Sequence, residues 1–332
     1  MDQIINLQKS LFEQIKKKIS PNLTLVHEIS EILEQSYDST YRRIRGDQLL
    51  NFDELMRLCA HYGVSVDSLI NENSQSITFD SFLLEPEKFR FIDWLDFILK
   101  DMTLIKEAPE KKIIYTAKDP PIYNYFVIPE IISFKAFFWE KTVFNFPEYK
   151  DKKFSFVFDP EIISKGSQIA RLATKVPTIE IWNEGTILLT LKQIEYYWVA
   201  GMFQSKDDIN RLLDKVEEWI LHIRSQAEYG FKFLYGETPD GIENTYVLYE
   251  NEVVLNDNVI LVDLGGRMAV YLAINSLNVI RTMNRRYCEN VSNYINGIIL
   301  RSTLISSSAE KERNRFFNKH LNLLAELRKR ID

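Results

Sequence analysis

The chain has 332 residues, room for two or three domains at about 120–150 residues each. Apolar residues make up 45% and charged residues 27% of it, a globular mix that excludes wholesale disorder and fibrous repeats. A net charge of -6 argues against nucleic acid wrapped over the whole surface, and no apolar run approaches the roughly 20 residues of a membrane span.

The polar start, MDQIINLQKS, does not read as a signal peptide. Cys59 and Cys288 are the only cysteines, too few for a disulfide framework or a four-ligand zinc site. They read as reduced thiols of a cytoplasmic protein. Charge is uneven along the chain. Residues 1–74 carry 8 Lys/Arg against 11 Asp/Glu, residues 75–264 carry 21 against 31, and residues 265–332 carry 12 against 5. A basic tail behind an acidic middle predicts electrostatic docking within or between chains, or a second anion-facing surface.

In chain order, the first seventy residues read as five short helices. Leu7, Leu11, Ile15 and Ile19 at i+4 spacing mark the first, from Ile4 to Ile19, and Pro21-Asn22 breaks it. Thr24 caps a second helix with Leu25, Ile29, Ile32 and Leu33 inward. A third carries Tyr37, Tyr41 and Ile44 on one side, and Asp38, Ser39, Thr40, Arg42, Arg43 and Arg45 on the others. Gly46 stops it. A fourth, capped by Asn51 or Asp53, is expected to bury Phe52, Leu55, Met56, Leu58 and Cys59 before Gly63, and Ser65 caps a last turn through Leu69.

The stretch LTLVHEISEILEQSYDSTYRRIRGDQLLNFDELMRLCAHYGVSVDSLI resembles the lambda-repressor/Cro-like, or XRE-type, helix-turn-helix family. The likeness lies in the order and lengths of the helices, the Arg-Gly ending of the third and the closing GVSVDSLI, and it covers about one fifth of the chain. Glu34-Gln35 stands in the turn where that family usually has a glycine and a small apolar residue. In the family, the third helix enters the major groove and its N-terminal residues read base edges. The resemblance therefore implies that Ser36, Tyr37, Asp38, Ser39 and Thr40 face bases. Arg42, Arg43 and Arg45 would lie near phosphates or a groove edge, where guanidinium forks suit phosphate oxygens and guanine.

Asn71–Ser76, NENSQS, has the composition of a hinge. Glu85-Pro86 then opens a long helix. Its Ile92, Leu95, Leu99 and Met102 form a coiled-coil-like seam, with Phe91, Trp94, Ile98 and Ile105 widening the stripe. Such a helix either pairs with its copy, holding two reading heads apart, or packs into its own domain.

The remainder reads as a mixed α/β domain. Lys112–Thr116 is strand-like, and Pro129–Val143 opens a helix with the aromatic face Phe134, Phe137, Phe138 and Trp139. Ile187–Phe203 reads as helical, and so does the stretch from Ile209 through Ile223, which Gly230 ends. Glu252–Leu255 and Val259–Val262 read as a hairpin about Asn256-Asp257-Asn258. Leu264-Gly265-Gly266-Arg267 then turns the chain into Met268–Ala273, which completes a three-stranded antiparallel meander. A helix near Arg285–Ile299 follows, and Ser307–Glu310 is a capping box that opens the last helix, with Phe317, Leu321, Leu324 and Ile331 inward.

Candidate chemistry is sparse. Val262-Asp263-Leu264-Gly265-Gly266 resembles the phosphate-binding hairpin of sugar kinases, yet only 66 residues follow Gly266 and no Thr or Ser succeeds the glycines. It reads as an ordinary glycine turn. P-loop, GxGxxG, HExxH and GxSxG motifs are absent. His27, His61, His222 and His320 are far apart in sequence, and Asp119 and Asp159 precede prolines in turns. Two basic sets, Arg281/Arg285/Arg286 and Lys311/Arg313/Arg315/Lys319, could bind an anion or dock on the acidic middle.

The expectation is an α+β chain. Residues 1–72 form an all-α helix-turn-helix module, 73–85 a linker, and 86–332 a larger mixed domain that senses an effector or carries a dimer contact. The function expected is a cytoplasmic transcription regulator that binds double-stranded DNA. It is expected to be homodimeric and open to a small-molecule effector, with no membrane association, no enzyme activity, no cofactor and no metal. The competing reading is a protein-interaction adaptor, which the module's low net charge favours.

Overall fold

The computed structural model describes residues 2–16, 18–19, 23–66, 69, 77–82, 90–252, 258–274 and 277–331. The chain divides into two compact units, Met1–Phe79 and Asp80–Asp332, and its class is α+β with a helical module at the N-terminus. Asn71–Ser76 and Glu85-Pro86 fall outside the described residues. Part of the expected linker is structured, since Asp80–Phe82 pairs antiparallel with a strand of the second unit's sheet.

The first unit is built from α1 (Asp2–Lys16), α2 (Leu25–Leu33), α3 (Tyr37–Arg45) and α4 (Phe52–Tyr62). Its core is Leu11, Phe12, Ile15, Ile29, Leu33, Leu58 and Cys59, closed by Val64 and Leu69. Capping follows the sequence: Thr24, Ser36 and Asn51 each accept a backbone N–H from the first turn they precede. Asn51 and Glu54 complete a capping box. Two expected core residues are not inside. Phe52 is 78% exposed and Met56 44%, because the turn that enters α4 directs Glu54 and Leu58 inward instead. Gly46 takes φ +86, and a Cβ there would sit 2.8 Å from Ile5 Cγ2. Glycine thus lets α1 close over the end of α3.

The second unit is an eight-stranded mixed sheet in the order β1-β7-β6-β5-β2-β3-β4-β8. The strands are β1 (Asp80–Phe82), β2 (Lys112–Ala117), β3 (Thr178–Trp182), β4 (Tyr246–Glu250), β5 (Val259–Asp263), β6 (Met268–Ile274), β7 (Asn278–Thr282) and β8 (Thr303–Leu304). Those at the centre, β2, β3 and β4, run parallel, and all other pairings are antiparallel. The helices are α5 (Phe91–Glu107), α6 (Pro129–Phe138, continued by a π-turn to Val143), α7 (Pro160–Ala173), α8 (Glu184–Val199), α9 (Lys206–Tyr229), α10 (Arg285–Ile299) and α11 (Glu310–Ile331). Alternation along the strands separates two cores. Ile113, Tyr115, Trp182 and Leu248 face the large helical layer, whereas Ile114, Ile181, Leu261 and Val270 face α10 through Cys288, Val291 and Ile295.

Three expectations change here. The long helix begins at Phe91 after an extended Arg90, not at Pro86. Its expected seam is also spent on its own domain. Leu95 and Met102 are buried in the large core beside Phe91, Trp94 and Ile105, with Ile92, Ile98 and Leu99 packed against it. An apolar stripe this wide suits a globular core better than a two-helix seam. Finally, β5 pairs with β2 on one edge and β6 on the other, so no edge is left for Glu252–Leu255. The sequential antiparallel meander is β5-β6-β7, one strand later than expected, and Val253–Leu255 lie outside the described residues.

The basic tail docks on the acidic middle within the same unit. Lys319 reaches Glu184 at 2.6 Å, Arg330 reaches Glu195 at 2.8 Å, and Arg328 bridges Asp214 and Glu217 at 2.5 and 3.1 Å. The other basic residues are divided by burial. Arg281 pairs with Asp80 at 3.1 Å, Arg285 with Glu289 at 2.8 Å, and Arg313 is buried against the Ser307 carbonyl. The Leu264–Arg267 segment is a hairpin turn closed by Asp263, whose Oδ1 accepts the Gly266 N–H at 3.0 Å.

Candidate nucleic-acid interface

The eight residues that the resemblance places at DNA divide by helical geometry. Tyr37, Asp38, Tyr41, Arg42 and Arg45 recur at alternating steps of one and three along α3 and all face solvent. Tyr37 is 54% and Tyr41 50% exposed, so the tyrosines lie on the outer face, not the inner one that the apolar spacing suggested. The inner face holds Thr40, wholly buried, and Arg43, 6% exposed. Ser36 is the exposed N-cap, and Ser39 is half-buried. Tyr41, which the resemblance did not single out, thus joins the outer set, while Thr40 and Arg43 leave it.

Arg43 works inside the module. Its Nε and Nη2 donate to the two carboxylate oxygens of Glu54 at 3.1 and 2.7 Å, a bidentate pair. Its Nη1 donates to Ser39 Oγ at 2.6 Å. The Asn51 N–H and Gln35 Nε2 also donate to Glu54, at 2.9 and 2.5 Å, and Ser39 Oγ donates to Gln35 at 3.3 Å. One network therefore joins the α2–α3 turn, the inner face of α3 and the first turn of α4. Burial pushes the Glu54 carboxyl up, but the bonds from Arg43, Asn51 and Gln35 and the Arg43 charge outweigh it, and the net shift is down. A second clamp is Gln8 on α1, which donates to the Arg43 and Gln48 carbonyls at 2.7 and 2.8 Å and accepts the Leu50 N–H at 2.8 Å.

These clamps fix the angle and rotation of α3, so its outer face is presented by a rigid support. On that face Arg42 has no ion-pair partner among the described residues, and Arg45 has only an exposed contact of 3.7 Å to Asp47. Both guanidiniums can turn to an incoming phosphate or base edge at little cost. Sequence reasoning missed Gln8, Gln35 and Glu54 as positioning residues. The Asn51-x-x-Glu54 capping spacing was their one legible trace.

The histidines are dispersed. His27 and His61 lie on the module's helices, whereas His222 and His320 are buried in the second unit. Buried ion pairs of that unit are closed on themselves. Glu180 accepts Lys232 Nζ, Tyr123 OH, Trp182 Nε1 and Tyr246 OH at 2.5–3.2 Å, which saturates its oxygens. Among the described residues no group of three or more His, Cys, Asp or Glu side chains is placed to hold a metal ion, and no helix is long and apolar enough to cross a membrane. No protein-family model, no curated protein and no solved structure matches the chain.

Proposed function

We propose that the protein is a sequence-specific DNA-binding transcription regulator whose α3 reads the major groove. The observation that carries this reading is the division of labour on α3: Arg42 and Arg45 stand outward beside Tyr37 and Tyr41, while Arg43 and Glu54 lock the opposite side. Phosphate contacts from the two arginines would set register, and Ser36, Tyr37, Asp38 and Tyr41 would meet base edges. The second unit would sense an effector or hold a second copy. The α5 stripe, largely covered by its own core, offers such a copy little apolar surface.

Fluorescence anisotropy of the full chain against a pool of genomic duplexes, titrated with salt, tests the proposal. Saturable binding is expected, with the slope of log affinity on log salt reduced by about two in the Arg42→Ala/Arg45→Ala variant. Negligible binding at low salt, or identical curves for both proteins, would overturn it. A protein-interaction role is favoured by a different observation: Leu49, Phe52 and Met56 are exposed apolar side chains on or beside α4. That role predicts loss of a protein partner in Phe52→Ser/Met56→Ser with no duplex affinity in the parent chain.

A further inference from the structure

A cavity of about 720 Å³ opens in the second unit at the carboxyl ends of the three parallel strands. Lys118 follows β2, Asn183 follows β3, and Glu250–Glu252 close β4. The first turns of α8 and one side of α11 complete the wall. Ligands of α/β sheets settle outside the carboxyl ends of parallel strands, because loops and helix N-termini converge there. The volume falls within the several hundred Å³ typical of small-molecule sites.

The lining has a definite chemistry. Leu188, Leu189 and Phe316 give it an apolar side. Around it stand four cations, Lys118, Lys192, Arg315 and Lys319, against three carboxylates, Glu184, Glu250 and Glu252. Arg315 is shared between Glu250 at 3.1 Å and Glu252 at 3.6 Å, and Lys319 holds Glu184 at 2.6 Å. Lys118 has no ion-pair partner among the described residues. Glu250 is mostly buried and keeps its partner, but the contacts to Glu252 and Glu184 are exposed and open readily, so the guanidinium fork of Arg315 can exchange Glu252 for a ligand anion. The rim itself is firm, since Thr186 in the first turn of α8 donates to the Ala117 carbonyl at 2.6 Å and accepts the Asn183 N–H at 3.0 Å. Gly185 lets the Asn183 side chain lie close over the start of α8, since a Cβ there would meet Asn183 Oδ1 at 3.0 Å.

We propose that this cavity binds a small organic anion with an apolar body. The proposal gives the sensing half of the reading above its site, and its test contains no DNA, so the two fail separately. The probe is 8-anilinonaphthalene-1-sulfonate, which joins an anionic group to an aromatic body, titrated into the full chain. One saturating site is expected. Affinity should fall about tenfold in Lys118→Gln, which alters an exposed residue, and in Leu189→Trp, which fills the cavity. A Lys100→Gln control on α5 should bind as the parent does, and neutral N-phenyl-1-naphthylamine at least tenfold more weakly. No saturable site, equal binding of the neutral analogue, or unchanged affinity in both cavity variants would overturn the proposal.

Discussion

At the scale of single residues, the three arginines that end α3 show how one side-chain type takes opposite roles within four positions. Arg42 and Arg45 are solvated, whereas Arg43 is held in a bidentate pair with its side chain and that of Glu54 only 8% and 7% exposed. Removing one partner of a buried pair leaves an uncompensated charge, a loss of about 3–5 kcal/mol. Arg43→Met should therefore destabilise the first unit by that amount, read as faster amide exchange across α2, α3 and α4. Arg43→Met/Glu54→Leu should recover much of the loss; equal exchange in the two variants would refute the pair's role. The lowered Glu54 carboxyl adds a pH signature. Its stabilisation is complete above the unfolded glutamate value near 4.3 and is lost as pH falls below that value through the depressed folded one. In Arg43→Met, where burial of Glu54 is no longer outweighed, protection of α3 amides should be lower near neutrality but fall less steeply with acid than in the parent chain.

At the scale of elements, the helices were legible because their signals are local. Thr24, Asn51, Gly46, Gly63 and Gly230 cap or terminate helices where their types require. The rotation of α3 was not legible, since a nine-residue helix with Tyr37 and Tyr41 at i+4 offers an apolar stripe that tertiary pairing overrides. Contacts distant in sequence, Arg43 to Glu54 and Gln8 to the Arg43 carbonyl, decide which face turns inward. Of the cavity at the strand ends only Arg315 and Lys319 were legible, as part of a basic set open to an anion, because Lys118, Asn183 and Glu250 converge on them from three other elements. One departure from the family pattern became informative. Glu34 ends α2 with φ 54, in the left-handed region where a glycine would be unstrained. A non-glycine residue there costs about 1–2 kcal/mol, partly offset by the entropy that glycine adds to the unfolded chain. Its exposed 3.1 Å pair with Arg57 returns little. Glu34→Gly should stabilise the first unit by about 0.5–1 kcal/mol, seen as slower amide exchange in α2 and α3. Faster exchange would show that the turn needs its glutamate.

At the scale of the whole molecule, charge and titration are partitioned between the units. The basic tail neutralises the acidic middle inside the second unit, through Lys319, Arg328 and Arg330. Arg328 and Arg330 are therefore structural counterparts of Glu195, Asp214 and Glu217, whereas Arg315 and Lys319 stand at the rim of the cavity. The five tryptophans, at positions 94, 139, 182, 198 and 219, all belong to that unit, so their fluorescence follows its unfolding alone. His222 makes this unfolding pH-dependent. Burial against Phe233 and Tyr235 pushes its imidazole down to about 4, only partly opposed by the bond to the Phe233 carbonyl at 3.1 Å. In the unfolded chain a histidine takes its proton near pH 6.5. Between pH 6.5 and about 4 the unfolded state therefore binds more protons than the native one, and stability falls as pH falls, by at most about 1.4 kcal/mol per pH unit. Urea midpoints by tryptophan fluorescence should drop across pH 6.5 to 5, before most carboxylates titrate. In His222→Phe, which keeps an aromatic ring between Phe233 and Tyr235, the slope over that range should fall by about one proton; an unchanged slope would assign the pH dependence to another group.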